Sequence, residues 1–348
     1  MKTKTILQAI EKVLAAVDSK SVVAQTDHLI FSDGIVAAYN GKISISTPFD
    51  SDLPEDSDFD FSVPAIDFYK VMKSIDDKDV ELSVENDLLY IVSDNVRATL
   101  STEIEEEAAL QAIRNFDLED LYEDKGFPVA KNFTEALELG IYSASKNADE
   151  PNNLNCICVH GYALTAGDGY RATCVELESN MERVLIPLSS AMELIKFSPQ
   201  QYSFHNGWMH LMDEEDTVFS LRIVKGDFPN VMGIIESFEP TIEVELPETL
   251  KDVASTLGSI AESPIENFKV IEINLLGDII ECHVDKSGVS ATKTIDFEGG
   301  DIDASFIISS PMLVSILGLT NSMGLNEKFA MFSDGTFSHA ISLVQIDK

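Results

Sequence analysis

Leu164-Thr165-Ala166-Gly167-Asp168-Gly169-Tyr170-Arg171 opens a stretch, running on to Pro229, whose order of pieces decides how the rest of the chain is read. The octet is a strand that runs into a Gly-bracketed Asp turn. Downstream, Val184-Leu185-Ile186-Pro187 leads into a short apolar helix over residues 189–197. A hairpin around Asn206-Gly207 and a strand over 218–224 follow, and the stretch closes on Lys225-Gly226-Asp227-Phe228-Pro229. Each joint has a local cause. Asp-Gly and Asn-Gly supply the positive φ that tight turns need, and Pro187 suits the first turn of a helix, where its missing N–H costs nothing.

Part of that stretch has copies elsewhere. Val63-Pro64, Phe68 and Val71-Met72-Lys73 align without a gap on Ile186-Pro187, Ala191 and Leu194-Ile195-Lys196, at an offset of 123 residues. A third copy is Ile307-Ile308-Ser309-Ser310-Pro311 with Leu313 and Ile316-Leu317, where the Pro comes later and the terminal Lys is gone. Period-2 runs follow each copy, at 80–84, 88–92 and 96–100, at 202–204, 208–212 and 218–224, and at 329–332 and 337–344. A longer amphipathic helix precedes each. The first (5–17) carries Ile6, Leu7, Ile10, Val13, Leu14 and Val17 on one stripe; the second (131–145) carries Phe133, Ala136, Leu137, Gly140, Ile141 and Ala144; the third (247–261) carries Leu250, Val253, Ala254, Leu257 and Ile260. The period predicts three similar domains, at 1–108, 109–238 and 239–348, in an α+β chain. The acidic stretch 103–123, whose only basic residue is Arg114, reads as a linker with a helical turn at 108–113. Ser237-Phe238-Glu239-Pro240 is a brief second linker, and 50–60 is an acidic, solvated loop.

The order of pieces in the opening stretch resembles the middle domain of the bacterial DNA sliding clamp, the β subunit of the replicative polymerase. In that family a strand ending in a Thr-Asp-Gly-His-Arg-type turn is followed by an Ile-Pro-led helix, strands and a Gly-x-Phe-Pro-Asp turn. Gly167-Asp168-Gly169-Tyr170-Arg171, Ile186-Pro187 and Gly226-Asp227-Phe228-Pro229 match in order and spacing, though no single motif is specific. The resemblance implies three clamp domains, each with two helices on antiparallel sheets. Two protomers then close head-to-tail into a homodimeric ring of six domains around double-stranded DNA. Such a ring is a processivity factor without sequence specificity or chemistry of its own. A replicative DNA polymerase and a clamp loader are the implied partners, with no cofactor.

Composition bounds this reading. At 348 residues the chain holds two or three cores. It has no apolar run long enough to span a membrane, and Met1-Lys2-Thr3-Lys4 leads straight into an amphipathic pattern, unlike a signal peptide. Cys156, Cys158, Cys174 and Cys282 lack metal spacing and read as small core side chains in a reducing cytoplasm. A net charge of −36 taken alone argues against nucleic acid, which normally meets basic surface. The placement of the scarce cations therefore matters. Lys4, Lys12 and Lys20 lie on or beside the first long helix, Lys70 and Lys73 on the first short helix, Lys131 and Lys146 at the ends of the second long helix, Lys196 at the end of the second short helix, and Lys251 on the third long helix. The resemblance makes these the DNA-facing residues of a tunnel, touching phosphates without reading bases. Glu11, Asp67, Glu135, Glu138 and Glu193 on the same helices weaken the contrast, and charged helix faces are ordinary in soluble proteins.

The resemblance also implies an apolar groove for short partner peptides between domains two and three, formed by Leu154, Gly167, Tyr170, Arg171, Ala172, Val344 and Ile346, with Arg171 at its edge for a peptide carboxylate. Gly167 and Ala172 are smaller than the family's usual Thr and Leu, implying a wider or shallower pocket. The tail Val344-Gln345-Ile346-Asp347-Lys348 also departs from the family's Met-Pro-Met-Arg-Leu type. Read without the resemblance, Tyr170 and Arg171 are an ordinary turn. Leu100 and Ile260 match apolar positions of the dimer seam, or else belong to the internal core. Other classes fare worse. There is no Gly-rich phosphate loop, His-x-x-His pair or nucleophile elbow, and His205 and His210 sit beside a hairpin with Trp208, so neither catalysis nor a metal site is expected. The alternatives left are an acidic DNA-mimicking inhibitor and a structural β-rich assembly protein.

Overall fold

The computed structural model describes residues 2–18, 20, 25–32, 34–49, 61–76, 78–102, 113, 116–261, 269–286 and 288–345. The acidic loop 50–60, the expected helical turn at 108–113 apart from Ile113, and Ile346 lie outside the described residues.

The chain forms two compact units. The first comprises Met1–Thr134 with Ser189–Val224, and the second Glu135–Leu188 with Lys225–Lys348. In the first, α1 (Thr3–Val13) buries Ile6, Ile10 and Val13 completely, at the i, i+4, i+7 spacing that puts them on one face. The 3-10 turn Leu14–Ala16 ends it. Strands β1 (His28–Ser32), β2 (Ile35–Tyr39), β3 (Ile43–Pro48) and β4 (Phe61–Pro64) precede α2 (Ala65–Lys73). A separate three-stranded sheet holds β5 (Glu81–Glu85), β6 (Leu88–Val92) and β7 (Arg97–Ser101), and α3 (Glu119–Tyr122) and β8 (Phe127–Pro128) follow. Phe31 anchors the core, stacked on Phe61 at 4.6 Å and edge-on to Phe68 of α2 at 5.7 Å.

In the second unit α4 (Phe133–Ile141, its first two residues counted with the first unit) covers the long hairpin of β9 (Cys156–Gly167) and β10 (Arg171–Pro187). A Cβ on Gly140 would lie 2.9 Å from Leu164, so this helix seats closely only because the residue is glycine. Helix α5 (Leu188–Leu194) then leads back to β11 (Gln201–His205), β12 (Trp208–Met212) and β13 (Val218–Arg222) of the first unit. The second unit continues with α6 (Val231–Glu236), β14 (Ile242–Glu245), α7 (Thr249–Ile260), β15 (Val270–Leu276), β16 (Ile279–Lys286), β17 (Val289–Asp296), β18 (Asp303–Ser309), α8 (Ser310–Ile316), β19 (Ser322–Leu325), β20 (Phe329–Ser333) and β21 (Phe337–Ser342). The third copy's two helices pack tightly: Ser310 Oγ donates to the Ala254 carbonyl at 2.8 Å.

All pairings of named strands are antiparallel, and two of them carry sheets across the sequence repeat. An eight-stranded sheet, β4-β1-β2-β3-β13-β12-β11-β8, is made continuous by β3 against β13, with Ile43 opposite Leu221 and Ser46 opposite Val218. A six-stranded sheet, β14-β19-β20-β21-β10-β9, is joined by β10 against β21, with Ala172 opposite Ala340. The four-stranded sheet β17-β16-β15-β18 completes the second unit. The two compact units therefore divide the middle repeat, because its strands hydrogen-bond to both neighbours.

One local expectation is corrected. Pro187 is the last residue of β10, paired with Cys156, and Pro64 likewise ends β4. Proline's fixed φ suits an extended strand end as well as a first helical turn. Only Pro311, in the third copy, lies inside the first turn of its helix. Among the described residues no helix is long and apolar enough to cross a membrane.

Candidate partner groove and helix lysines

The turn between β9 and β10 is built by one carboxylate. Asp168 Oδ1 accepts from the backbone N–H groups of Tyr170 and Arg171, each at 3.0 Å, and Gly169 takes φ +87°. Arg171 Nε donates to Asp168 Oδ2 at 2.9 Å, and the two side chains are only 14% and 8% exposed. Arg171 is thus folded back onto its own turn, while Tyr170 is exposed.

Ala172, next along β10, is buried in an apolar cluster with Val231, Met331 and Ala340, flanked by Phe228, Ile235, Phe238 and Phe329. A Cβ on Gly167 would lie 3.6 Å from Val231 Cγ2, so Gly167 borders the same cluster. Val231 thus packs beside the small residues at both 167 and 172, and Phe228, Phe238 and Phe329 flank the cluster. Helix α6 is held over the cluster by its cap, Asn230 Oδ1 accepting from Gly233 N at 3.0 Å. The loop before it is tied down twice: Asn153 Nδ2 donates to the Asp227 carbonyl at 2.8 Å, and Arg183 Nη2 to the Gly226 carbonyl at 3.1 Å. Leu154, half-buried, follows Asn153, which puts it beside this loop. Val344 is exposed, its N–H bonded to the Ile307 carbonyl at 2.9 Å, and stands outside the buried cluster. Of the residues expected in the groove, Ala172 lies in this cluster and Gly167 borders it, while Tyr170 and Arg171 belong to the adjoining turn; Val231, Phe228, Phe238, Phe329, Met331 and Ala340 were not among those expected. Asn230 ahead of an apolar run was the available signal for α6.

The opposite face of β10 carries a buried polar chain. Thr173 Oγ1 lies 2.8 Å from His339 Nδ1 and 2.5 Å from Ser143 Oγ. Burial, followed by the nearby Arg171 charge, lowers the His339 pKa to about 3. In the first unit His210 Nδ1 meets Ser220 Oγ at 2.7 Å, and burial pulls its pKa down to about 4. Burial raises the thiols of Cys156 and Cys174 to about 11 and that of Cys282 to about 12, so none is poised as a nucleophile. Among the described residues no group of three or more His, Cys, Asp and Glu is placed to hold a metal.

The helix lysines fall into two sets. Lys12 Nζ contacts Glu215 at 2.5 Å and Thr217 Oγ1 at 3.1 Å, bracing α1 against the β12–β13 turn. Lys73 donates to Tyr69 Oη at 2.8 Å, whose hydroxyl donates to Glu11 at 2.9 Å. Lys70 faces Asp67 at 3.7 Å and Lys196 faces Glu193 at 2.6 Å. Lys4, Lys20, Lys131, Lys146 and Lys251 make no ion pair among the described residues, and Lys251 Nζ lies beside Gly318. Leu100 on β7 and Ile260 at the end of α7 are both half-buried. Strand β7 is an edge of its sheet.

No protein-family model matches the sequence, and no curated protein does. The fold, however, is that of the bacterial DNA sliding clamps over essentially the whole chain. A sliding clamp from Bartonella birtlesii, described as DNA polymerase III subunit beta bound to griselimycin, superposes with a TM-score of 0.84 at 16% identity, covering 99% of both chains. The DNA polymerase sliding clamp from Bacillus subtilis gives 0.81 at 16% identity, covering 100% of this chain and 98% of its own. The Helicobacter pylori beta clamp bound to a DNA ligase peptide gives 0.77 at 13% identity, covering 99% of each.

Proposed function

We propose that this chain is a sliding clamp, a DNA polymerase processivity factor that encircles duplex DNA and tethers partner proteins by short peptides. The full-length likeness to clamp structures carries the reading, since it spans every element of both units and not one shared domain. Three repeats, 1–108, 109–238 and 239–348, supply three clamp domains per protomer. Two protomers join head-to-tail through edge strands, with Leu100 of one and Ile260 of the other at the seam. Open edge strands that pair across protomers gain backbone hydrogen bonds and lose an aggregation hazard. The lysines without a carboxylate partner among the described residues face phosphate, and the cluster around Ala172 and Val231 receives the peptide. A replicative polymerase and a clamp loader use that groove. The protein catalyses nothing itself and works in the cytoplasm.

The test is topological. Once loaded, the protein stays on circular DNA at high salt and slips off when the circle is cut. Equal retention on linear and circular DNA would end the ring reading, leaving the DNA-mimicking inhibitor or a structural assembly. A solution mass of two chains supports the dimer.

A further inference from the structure

The two strand pairings that carry sheets across the sequence repeat are fastened alike. At β3–β13, the register that sets Ser46 opposite Val218 brings Thr47 to Thr217 one step further on, and their hydroxyl oxygens lie 3.0 Å apart. Thr217 Oγ1 also accepts from Nζ of Lys12, in the last turn of α1, at 3.1 Å. At β10–β21, Thr173 stands opposite His339, with its Oγ1 2.8 Å from the ring Nδ1. The same Thr173 Oγ1 lies 2.5 Å from Oγ of Ser143, just past the end of α4. Each pairing is thus pinned at three points: a threonine, the polar side chain opposite it, and a polar side chain at the C-terminal end of a long helix. These groups are shielded. Thr47 and Thr217 are 3% and 0% exposed, and Ser143, Thr173 and His339 no more than 1%. Lys12 is partly exposed, and its ammonium is held by Glu215. A buried polar group that loses its partner costs more than one that returns to water. Parting the strands orphans these groups together, so each joint resists opening more than its backbone hydrogen bonds alone would.

We propose that these two clasps set the stiffness of the joints between repeats, and thereby how long the ring stays closed. This rests on the sliding-clamp reading above and adds a conformational control to it. The joints within a protomer are crossed by the chain, so they bend but do not separate. The seam between protomers has no covalent link and is where a ring parts. A closed ring parts at one seam only if its other joints yield, because its members must spread to make the gap. Packed interfaces yield between discrete arrangements and do not deform continuously. A buried clasp that must break before the joint bends is therefore a barrier to opening. Weakening it shortens the closed lifetime, although Thr217 and Thr173 belong neither to the seam nor to the lysines that face phosphate.

Amide hydrogen exchange and retention on DNA, measured on the same full-length variants, test the inference. Thr217→Val and Thr173→Val delete the shared hydroxyl at nearly constant size, whereas Thr217→Ser and Thr173→Ser keep it. In Thr217→Val the amides of 43–46 and 218–221 exchange about threefold to tenfold faster, the effect of one hydrogen bond, while those of the β5–β7 sheet keep the wild-type rate. Thr173→Val does the same at 171–175 and 337–341, with the four-stranded sheet β15–β18 unchanged. Both Val variants leave closed circular DNA faster than the wild type by a similar factor, and the Ser variants do not. Unchanged retention in a variant whose joint amides exchange faster overturns the inference. So does unchanged exchange at the joints, or a rise that is equal in every sheet. If the wild type itself is retained no better on circular than on linear DNA, the ring reading falls and takes the inference with it.

Discussion

Arg171 reaches Asp168, not solvent: its Nε sits 2.9 Å from Asp168 Oδ2, with both side chains largely buried. A peptide carboxylate meeting Arg171 must therefore compete with an intramolecular one. The same Asp168 caps two backbone N–H groups of the turn. Replacing it with Ala orphans a shielded guanidinium and both donors. We expect Asp168→Ala to cost about 2–4 kcal/mol, read as a lower urea midpoint by circular dichroism. Asp168→Asn, which keeps an acceptor for the turn, loses less. An unchanged midpoint for Ala would show that the turn holds without its carboxylate.

Ala172 is small because its neighbours are large. It is buried against Val231, Met331 and Ala340 under a rim of Phe side chains. Ala172→Leu therefore overfills the cluster and destabilises by about 1–3 kcal/mol. If the variant is instead as stable as the wild type, the pocket is the wider one that the sequence suggested.

The repeat was legible because its carriers are local. Pro64, Pro187 and Pro311 mark strand-to-helix junctions, and Asn206-Gly207, with φ of 48° and 81°, makes the hairpin its dipeptide demands. Strands β6 and β12 match their period-2 runs residue for residue. The middle of the β9–β10 hairpin was illegible. Residues 176–183 of β10 are mostly polar, and register shifts at Glu176, Met181 and Val184 break the alternation that sequence reading relies on. The cluster around Ala172 was half legible for a related reason. Its β10 wall lies in a motif, but Val231, Met331 and Ala340 come from distant segments brought together by strand pairing. The partner of Lys12 was hidden too, since Glu215 lies 203 residues away, whereas Asp67 beside Lys70 and Glu193 beside Lys196 are three positions off on the same helix.

On the sliding-clamp reading, that pairing divides the lysines into those with a carboxylate neighbour and those with none among the described residues. A lysine that leaves a carboxylate to take a phosphate returns that carboxylate to solvent cations, so its net ion release is small. Binding of short duplex DNA should therefore show a shallower salt dependence when Lys131, Lys146 or Lys251 is changed to Gln, by about 0.9 in the logarithmic slope for each phosphate that is no longer neutralised. Lys12→Gln, Lys70→Gln and Lys196→Gln should change the slope less. Equal slope changes in both sets would mean that the carboxylates do not compete.

His210 and His339 make stability fall in mild acid. Each is held neutral, with folded pKa values of about 4 and about 3 caused chiefly by burial, against roughly 6.5 in an unfolded chain. Between those values the unfolded chain binds more protons than the folded one, so stability drops as pH falls from 6.5 and the loss stops only below the folded pKa. By pH 4.5 each histidine costs about 2–3 kcal/mol relative to pH 7. Asn presents an oxygen near the Nδ1 position that Ser220 and Thr173 contact, without the titration. His210→Asn and His339→Asn should thus each flatten the urea midpoint between pH 7 and pH 4.5. The two residues lie in different compact units, so if the units unfold separately each variant flattens only its own transition. A wild-type midpoint that does not move over this range would show that these imidazoles take up protons in the folded state.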